Sequence, residues 1–165
     1  MKRSPDYYDN KRKLRGLKRT NVSYKANKTE AWKWFHILNE QIFGNLLEPV
    51  DKIFISNHKN YGDVYALYYY DDKFRGKPAK ISLCKRFDDE KMFVEILAHE
   101  MIHQWQWDVY RFDHLDYFGR PMFENSGAHG PSFFAWKNRF ADYGLHLKTW
   151  YGQKRWFKHQ DFTRC

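Results

Sequence analysis

Two histidines and a glutamate in "AHEMIHQWQW" (residues 98–107) have the types and the spacing of a metal site. His99 and His103 are four positions apart, so on a helix both imidazoles lie on one face, where two nitrogens can bind one metal ion. Glu100 lies beside that face, where its carboxylate can act as a general base on a zinc-bound water. Zinc lowers the pKa of such a water toward about 7 and polarises carbonyl groups, so a peptide bond can be attacked near neutral pH. The pattern predicts one catalytic zinc ion, with Glu100 as the catalytic residue.

The third zinc ligand is not evident from spacing. A catalytic zinc site has three protein ligands and an open fourth position. Gln106 and Val109 occupy the places, three and six residues after His103, where the extended motif has Gly and His. His129, in "GAHGPSFF", lies beside small residues and just before a predicted helix, so its backbone can approach another helix. By residue type the candidates are His114, Glu124 and His129, followed by Asp113 and Asp116.

Elements that would position these residues follow from hydrophobic periodicity. Apolar residues at helical spacing predict a helix from Thr29, its N-cap, to about Leu46, before the break at Pro49. Three strands are predicted at 52–56, 63–70 and 79–84, and the turn residues of 71–78 predict an antiparallel hairpin between the last two.

Two further helices are predicted downstream. The metal-binding helix begins at the acidic residues 88–90 and runs to about Trp107, and another begins at Pro131 and ends at about Tyr143. The predicted domain is therefore α+β. It consists of a helix, a small and mainly antiparallel sheet, the metal-binding helix and a further helix.

Composition limits the class of protein. A chain of 165 residues with 42% hydrophobic residues is expected to form one domain with one core. Only Cys84 and Cys165 are present, too few for a disulfide scaffold or a four-cysteine zinc ribbon, and this fits a reducing compartment. There is no apolar run typical of a signal peptide or a membrane span. We therefore expect a cytoplasmic protein that does not bind membranes.

The net charge of +9 is concentrated at the two ends of the chain. Residues 1–26 hold nine Lys and Arg against two Asp, and residues 148–165 hold five against one, while residues 27–147 carry 15 basic and 17 acidic residues. Basic ends favour contact with nucleic acid through counterion release, although a solvated tail that only aids solubility has the same composition.

These charges suggest three regions: a flexible basic arm (1–26), a central domain (27–147) and a basic aromatic tail (148–165). The tail would bind single-stranded DNA by phosphate contact and base stacking, or would be a hairpin whose aromatic residues cap the core. The predicted nucleic-acid contacts are Lys11, Arg12, Lys13, Arg15, Lys18, Arg19, Lys148, Lys154, Arg155, Trp156 and Lys158.

"LAHEMIHQWQW" followed by "AHGPSFFAW" resembles the SprT-like metallopeptidase family, whose Spartan-type members remove proteins crosslinked to DNA. The resemblance covers about residues 30–147. It implies a zincin-like fold, zinc ligation by His99, His103 and His129, a catalytic acid/base role for Glu100, and protein substrates bound or crosslinked to DNA.

Two features depart from the family pattern. The 25 residues between His103 and His129 form a longer connection than is usual, and the chain lacks the cysteines of the zinc ribbon that many members carry. Three functions remain open: a DNA-directed zinc endopeptidase, a zinc peptidase with a particular non-DNA protein substrate, or a nucleic-acid-binding module in which zinc is structural.

Overall fold

The secondary structure is that of an α+β domain, as predicted. The computed structural model describes residues 3–56, 64–70, 76–110 and 129–148. The helices are α1 (Tyr7–Arg15), α2 (Lys28–Gln41), α3 (Glu90–Asp108), α4 (Pro131–Phe134) and α5 (Lys137–Ala141). The strands are β1 (Tyr24–Lys25), β2 (Lys52–Ile55), β3 (Ala66–Tyr69), β4 (Lys80–Leu83) and β5 (Arg86–Phe87).

The larger sheet has the strand order β2-β4-β3. The predicted hairpin is confirmed, since β3 pairs antiparallel with β4 and places Ala66 opposite Leu83. β2 pairs with the other edge of β4 in parallel, with Ile53 opposite Ile81. A second, two-residue pairing joins β1 to β5 antiparallel, and sequence analysis did not predict it because two residues carry no visible alternation.

Helix α2 begins and ends earlier than predicted. Its N-cap is Asn27 rather than Thr29, and the Asn27 side chain accepts a hydrogen bond from the backbone N–H of Glu30 at 2.9 Å. The predicted end near Leu46 is wrong, because Gly44 and Asn45 both have left-handed backbone conformations (φ 64° and 60°) that turn the chain after Gln41.

Helix α3 agrees with the sequence prediction and forms the centre of the core. Its N-cap Asp89 accepts a hydrogen bond from the backbone N–H of Met92 at 2.7 Å. The helix is buried on several faces rather than along one stripe, which is typical of a core helix. It contacts β3, α2, α4 and β5, so it is packed against both the larger sheet and other helices.

The structure differs from the prediction of a flexible arm over residues 1–26. Within residues 3–26, α1 packs on α2, with Leu14 fully buried in the core. The backbone N–H of Ser4 donates to Glu40 at 3.0 Å, and the amide of Gln41 donates to the Tyr7 carbonyl at 2.9 Å. A single buried residue in α1 leaves no periodic apolar pattern, which explains why sequence analysis missed this helix.

The helix predicted from Pro131 to Tyr143 is two short helices, α4 and α5, separated at Ala135 and Trp136. Pro131 occupies the first turn of α4 as expected. After α5, Gly144 has a φ of 70°, and the chain returns along α3 with Leu145 and Leu147 buried. Among the described residues, no helix is long and apolar enough to cross a bilayer.

Candidate metal centre

Three histidines converge at one point beside α3. His99 and His103 lie one turn apart on α3, and His129 lies two residues before the start of α4. The Nε2 atom of His99 lies 3.0 Å from His103 Nε2 and 3.2 Å from His129 Nε2. One ligand atom from each residue lies within 4.8 Å of the other two, so the group is close enough to hold a metal ion.

The hydrogen bonds at the far sides of two rings define which nitrogens face the centre. His99 Nδ1 lies 2.7 Å from the carbonyl oxygen of Lys148, and His103 Nδ1 lies 2.9 Å from the Gln106 Oε1 atom. Oxygens of these types only accept hydrogen bonds, so each Nδ1 carries the proton and donates it. In the neutral rings, each Nε2 therefore presents a lone pair to the shared centre.

This donor set fits a zinc ion. Two Nε2 lone pairs that face each other at 3.0 Å repel unless a cation lies between them. Imidazole nitrogens bound to tetrahedral zinc at about 2.05 Å are about 3.3 Å apart, close to the separations seen here. Within the described residues the group offers three ligands, and a tetrahedral ion held by three protein ligands has one position left for water or substrate, as in catalytic zinc sites.

Burial keeps these imidazoles neutral. Desolvation lowers the pKa of His99 well below its ordinary value, and the neighbouring histidines lower it further. Desolvation also lowers the pKa of His103 to about 4 and lowers the pKa of His129. Because a metal binds only the unprotonated nitrogen, the site is ready to bind a cation at neutral pH without first releasing protons.

Glu100 lies beside this group, between α3 and β3. It is 7% exposed, and its carboxylate accepts a hydrogen bond from the backbone N–H of Tyr68 in β3. Desolvation raises the pKa of Glu100 to about 8 although the Tyr68 bond opposes this rise. A cation nearby would favour the carboxylate form, so this group can hold or release a proton near neutral pH.

Behind the histidines, a buried ionic cluster attaches α3 to two distant segments. Glu95, one turn before His99, is fully buried and contacts the Arg19 guanidinium, which also lies 3.2 Å from Asp89. Glu95 also accepts a hydrogen bond from the backbone N–H of His146 at 3.0 Å. Through His146, the cluster positions the segment whose Lys148 carbonyl receives His99 Nδ1–H.

Two predicted nucleic-acid contacts have other surroundings in the structure. The Arg19 guanidinium is held by two carboxylates, and Lys148 is only 7% exposed, with its pKa lowered to about 8 chiefly by burial. The Arg19 side chain is therefore paired with carboxylates and the Lys148 side chain is buried, whereas both were predicted to contact phosphates of nucleic acid. Arg12, Lys13, Arg15 and Lys18 are exposed, and Lys11 is half-buried.

Several other predicted residues lie outside the described part of the chain. They are the alternative zinc ligands Asp113, His114, Asp116 and Glu124 and the tail residues Lys154, Arg155, Trp156 and Lys158.

Two groups that orient the histidines were not predicted from the sequence. Gln106 follows His103 by three positions, a helical spacing that brings side chains together and that could have indicated the contact. The Lys148 carbonyl had no signal in the sequence, because every residue has a backbone carbonyl.

Comparison of the chain with protein-family models, with curated proteins and with solved structures gives no match. The candidate metal centre therefore rests on the residues and their geometry.

Proposed function

We propose that the protein is a zinc-dependent endopeptidase of the SprT-like type, with a zincin-like domain, and that its substrates are proteins bound or crosslinked to DNA. The observation that carries the proposal is the convergence of His99, His103 and His129 beside a buried Glu100. A site of three neutral imidazoles with an adjacent carboxylate has the composition needed for metal-assisted hydrolysis.

The three imidazoles would hold the zinc ion, which when bound supplies a Lewis acid that polarises a peptide carbonyl and activates the attacking water. Glu100 would accept the proton of that water and pass it to the leaving amine. Its pKa of about 8 in the metal-free site places it near the range in which a carboxyl group can do both. The Tyr68 N–H would hold the carboxylate in place during these transfers.

Direction by DNA is supported by the charge of the N-terminal region. Residues 1–26 carry nine basic and two acidic residues. Helix α1 is anchored on α2, so its exposed Lys13 and Arg15 occupy defined positions on the surface. A basic helix on the same domain as a hydrolytic site would concentrate the enzyme near DNA-bound proteins.

The test is proteolysis of a basic DNA-binding protein, with and without single-stranded DNA, by the wild type and by Glu100→Gln. Glutamine has the same shape and can still accept the Tyr68 N–H, but it cannot take up a proton. We expect cleavage only by the wild type and only with DNA, while zinc content measured by elemental analysis is the same in both proteins. Cleavage by Glu100→Gln would disprove the assigned mechanism.

One observation favours a second candidate, a zinc peptidase with a non-DNA protein substrate. Two of the predicted phosphate contacts have other roles: Arg19 pairs with the buried Glu95, and Lys148 is buried. Fewer basic side chains are then available for DNA. Cleavage that depends on Glu100 but is indifferent to DNA would support this candidate over the first.

A further inference from the structure

We infer that Gln106 is a positioning residue that joins the two segments carrying the metal-binding histidines, α3 and the residues that precede α4, and so fixes the position of His129 relative to His103. The inference rests on the proposed function only in taking the three histidines as metal ligands. Gln106 is fully buried on α3. Its Oε1 atom lies 2.9 Å from His103 Nδ1, and its Nε2 donates to the Ser132 hydroxyl at 2.9 Å.

The second of these bonds reaches the segment that carries His129. Ser132 lies in α4, three residues after His129, and is 5% exposed. α4 has only four residues, and its position against α3 decides where the His129 ring lies. Phe133 adds an apolar contact, packing 4.7 Å from the His99 ring and 4.8 Å from the His129 ring, centroid to centroid. Apolar packing is not directional. The Gln106–Ser132 hydrogen bond is, so it can fix the position of α4 along α3.

A primary amide suits this place because it accepts and donates at once. Its oxygen receives the Nδ1–H of His103, which fixes the tautomer and increases the basicity of the opposite nitrogen. Its NH₂ group reaches α4. Hydrogen bonds of this kind are strengthened in a buried, low-dielectric surrounding, and leaving either partner unsatisfied there is costly. Partners that orient a metal-bound histidine contribute about 10- to 100-fold to metal affinity.

The test compares zinc affinity in Gln106→Leu and in a matched control, Gln104→Leu. Gln104 lies on the same helix, is 1% exposed, and donates to the Glu48 carbonyl at 2.6 Å, a bond that contacts none of the three histidines. Affinity is measured by competition with a chromophoric zinc chelator on the full chain. We expect zinc affinity to fall about 10- to 100-fold in Gln106→Leu and less than twofold in Gln104→Leu.

Two more variants separate positioning from general destabilisation. Gln106→Glu should recover most of the affinity, because a carboxylate accepts the His103 proton and the Ser132 hydroxyl can donate to it. Ser132→Ala removes the bond to α4 and leaves the bond between Gln106 and His103 in place, so it should give an intermediate loss. The absorption spectrum of bound Co²⁺ should change in Gln106→Leu and stay unchanged in Gln104→Leu, since it reports the arrangement of ligands around the ion.

Equal losses of affinity in the two leucine variants, or no loss in either, would overturn the inference. These outcomes leave the proposed function intact if the wild type still cleaves protein. Conversely, the predicted affinity pattern in a protein that cleaves no substrate would support Gln106 as a positioning residue and would count against the peptidase.

Discussion

His99 and His129 are thirty positions apart in the chain, and their Nε2 atoms lie 3.2 Å apart. No local feature of the sequence requires this contact. It arises because α4 packs on α3 and brings His129, two residues before α4, against the middle of α3. The candidate site is therefore a property of the whole domain and not of the His-Glu-x-x-His segment alone.

Substitution of His129 should abolish tight zinc binding. His129→Ala removes one of three converging nitrogens, and we expect zinc affinity to fall by about 100-fold or more, because two ligands seldom hold zinc tightly. The control is His36→Ala, which removes an exposed imidazole that stacks on Trp32 in α2. Isothermal titration of the metal-free proteins with zinc checks the prediction, and an unchanged affinity in His129→Ala would exclude it as a ligand.

The stability of the metal-free protein should depend on pH in two opposite directions. The three histidines have pKa values lowered by burial, to about 4 for His103. The unfolded chain therefore binds more protons below its histidine pKa of 6.5, and stability is lost as the pH falls from 6.5 toward 4. Glu100 acts in reverse, since its pKa is raised to about 8 and stability is lost as the pH rises from 4.5 through 8.

Urea unfolding with a chelator at pH 5, 6.5 and 8 separates these effects. In Glu100→Gln, stability should rise up to pH 6.5 and then stay level. The wild type should have a maximum near pH 6.5 and lose stability toward pH 8. A wild type that is equally stable at all three pH values would show that the buried groups do not titrate as the structure indicates.

Arg19 should contribute to folding and not to DNA binding. Arg19→Ala leaves the buried Glu95 and Asp89 carboxylates without the guanidinium, and we expect unfolding to become easier by about 1–3 kcal/mol, reduced from the usual value because Arg19 is 37% exposed. Lys13→Ala, at an exposed position of α1, should change stability by less than about 0.5 kcal/mol.

DNA titrations at several salt concentrations complete this comparison. Lys13→Ala should weaken DNA binding and reduce the slope of log affinity against log salt concentration by about 1. Arg19→Ala should bind DNA like the wild type. The reverse pattern would restore Arg19 as a phosphate contact.

Two tyrosines with buried hydroxyl groups should respond oppositely to loss of the hydroxyl. The Tyr24 hydroxyl is buried and has no hydrogen-bond partner among the described residues, and burial together with Glu90 and Glu30 raises the pKa of Tyr24 to about 12. The Tyr143 hydroxyl donates to the Gln41 carbonyl at 2.9 Å. Tyr24→Phe should leave stability unchanged or increase it by up to about 1 kcal/mol, and Tyr143→Phe should reduce it by about 1 kcal/mol. Chemical unfolding at neutral pH measures both, and a destabilised Tyr24→Phe would contradict this assignment.

The elements that sequence analysis predicted well are those with local causes. Helix α3 was recognised from its acidic start and its dense apolar residues, and β3 and β4 from β-forming residues on either side of a turn. His99, Glu100 and His103 were found because one helix fixes their spacing. Helix α1 was missed because one buried leucine produces no pattern.

The sequence by itself therefore determined the α+β class, helix α3 and the two imidazoles that this helix carries, and the family resemblance indicated His129 as the third. Only the tertiary structure decided that the His129 ring reaches the other two, that Glu95 is buried and pairs with the partly exposed Arg19, and that Gln106 and the Lys148 carbonyl orient the rings. The reason is physical. Helical spacing depends on residues that are neighbours in the sequence, so it can be recognised there. Contacts across thirty or more positions depend on how the helices pack, and some of them use backbone carbonyls, which are the same in every residue.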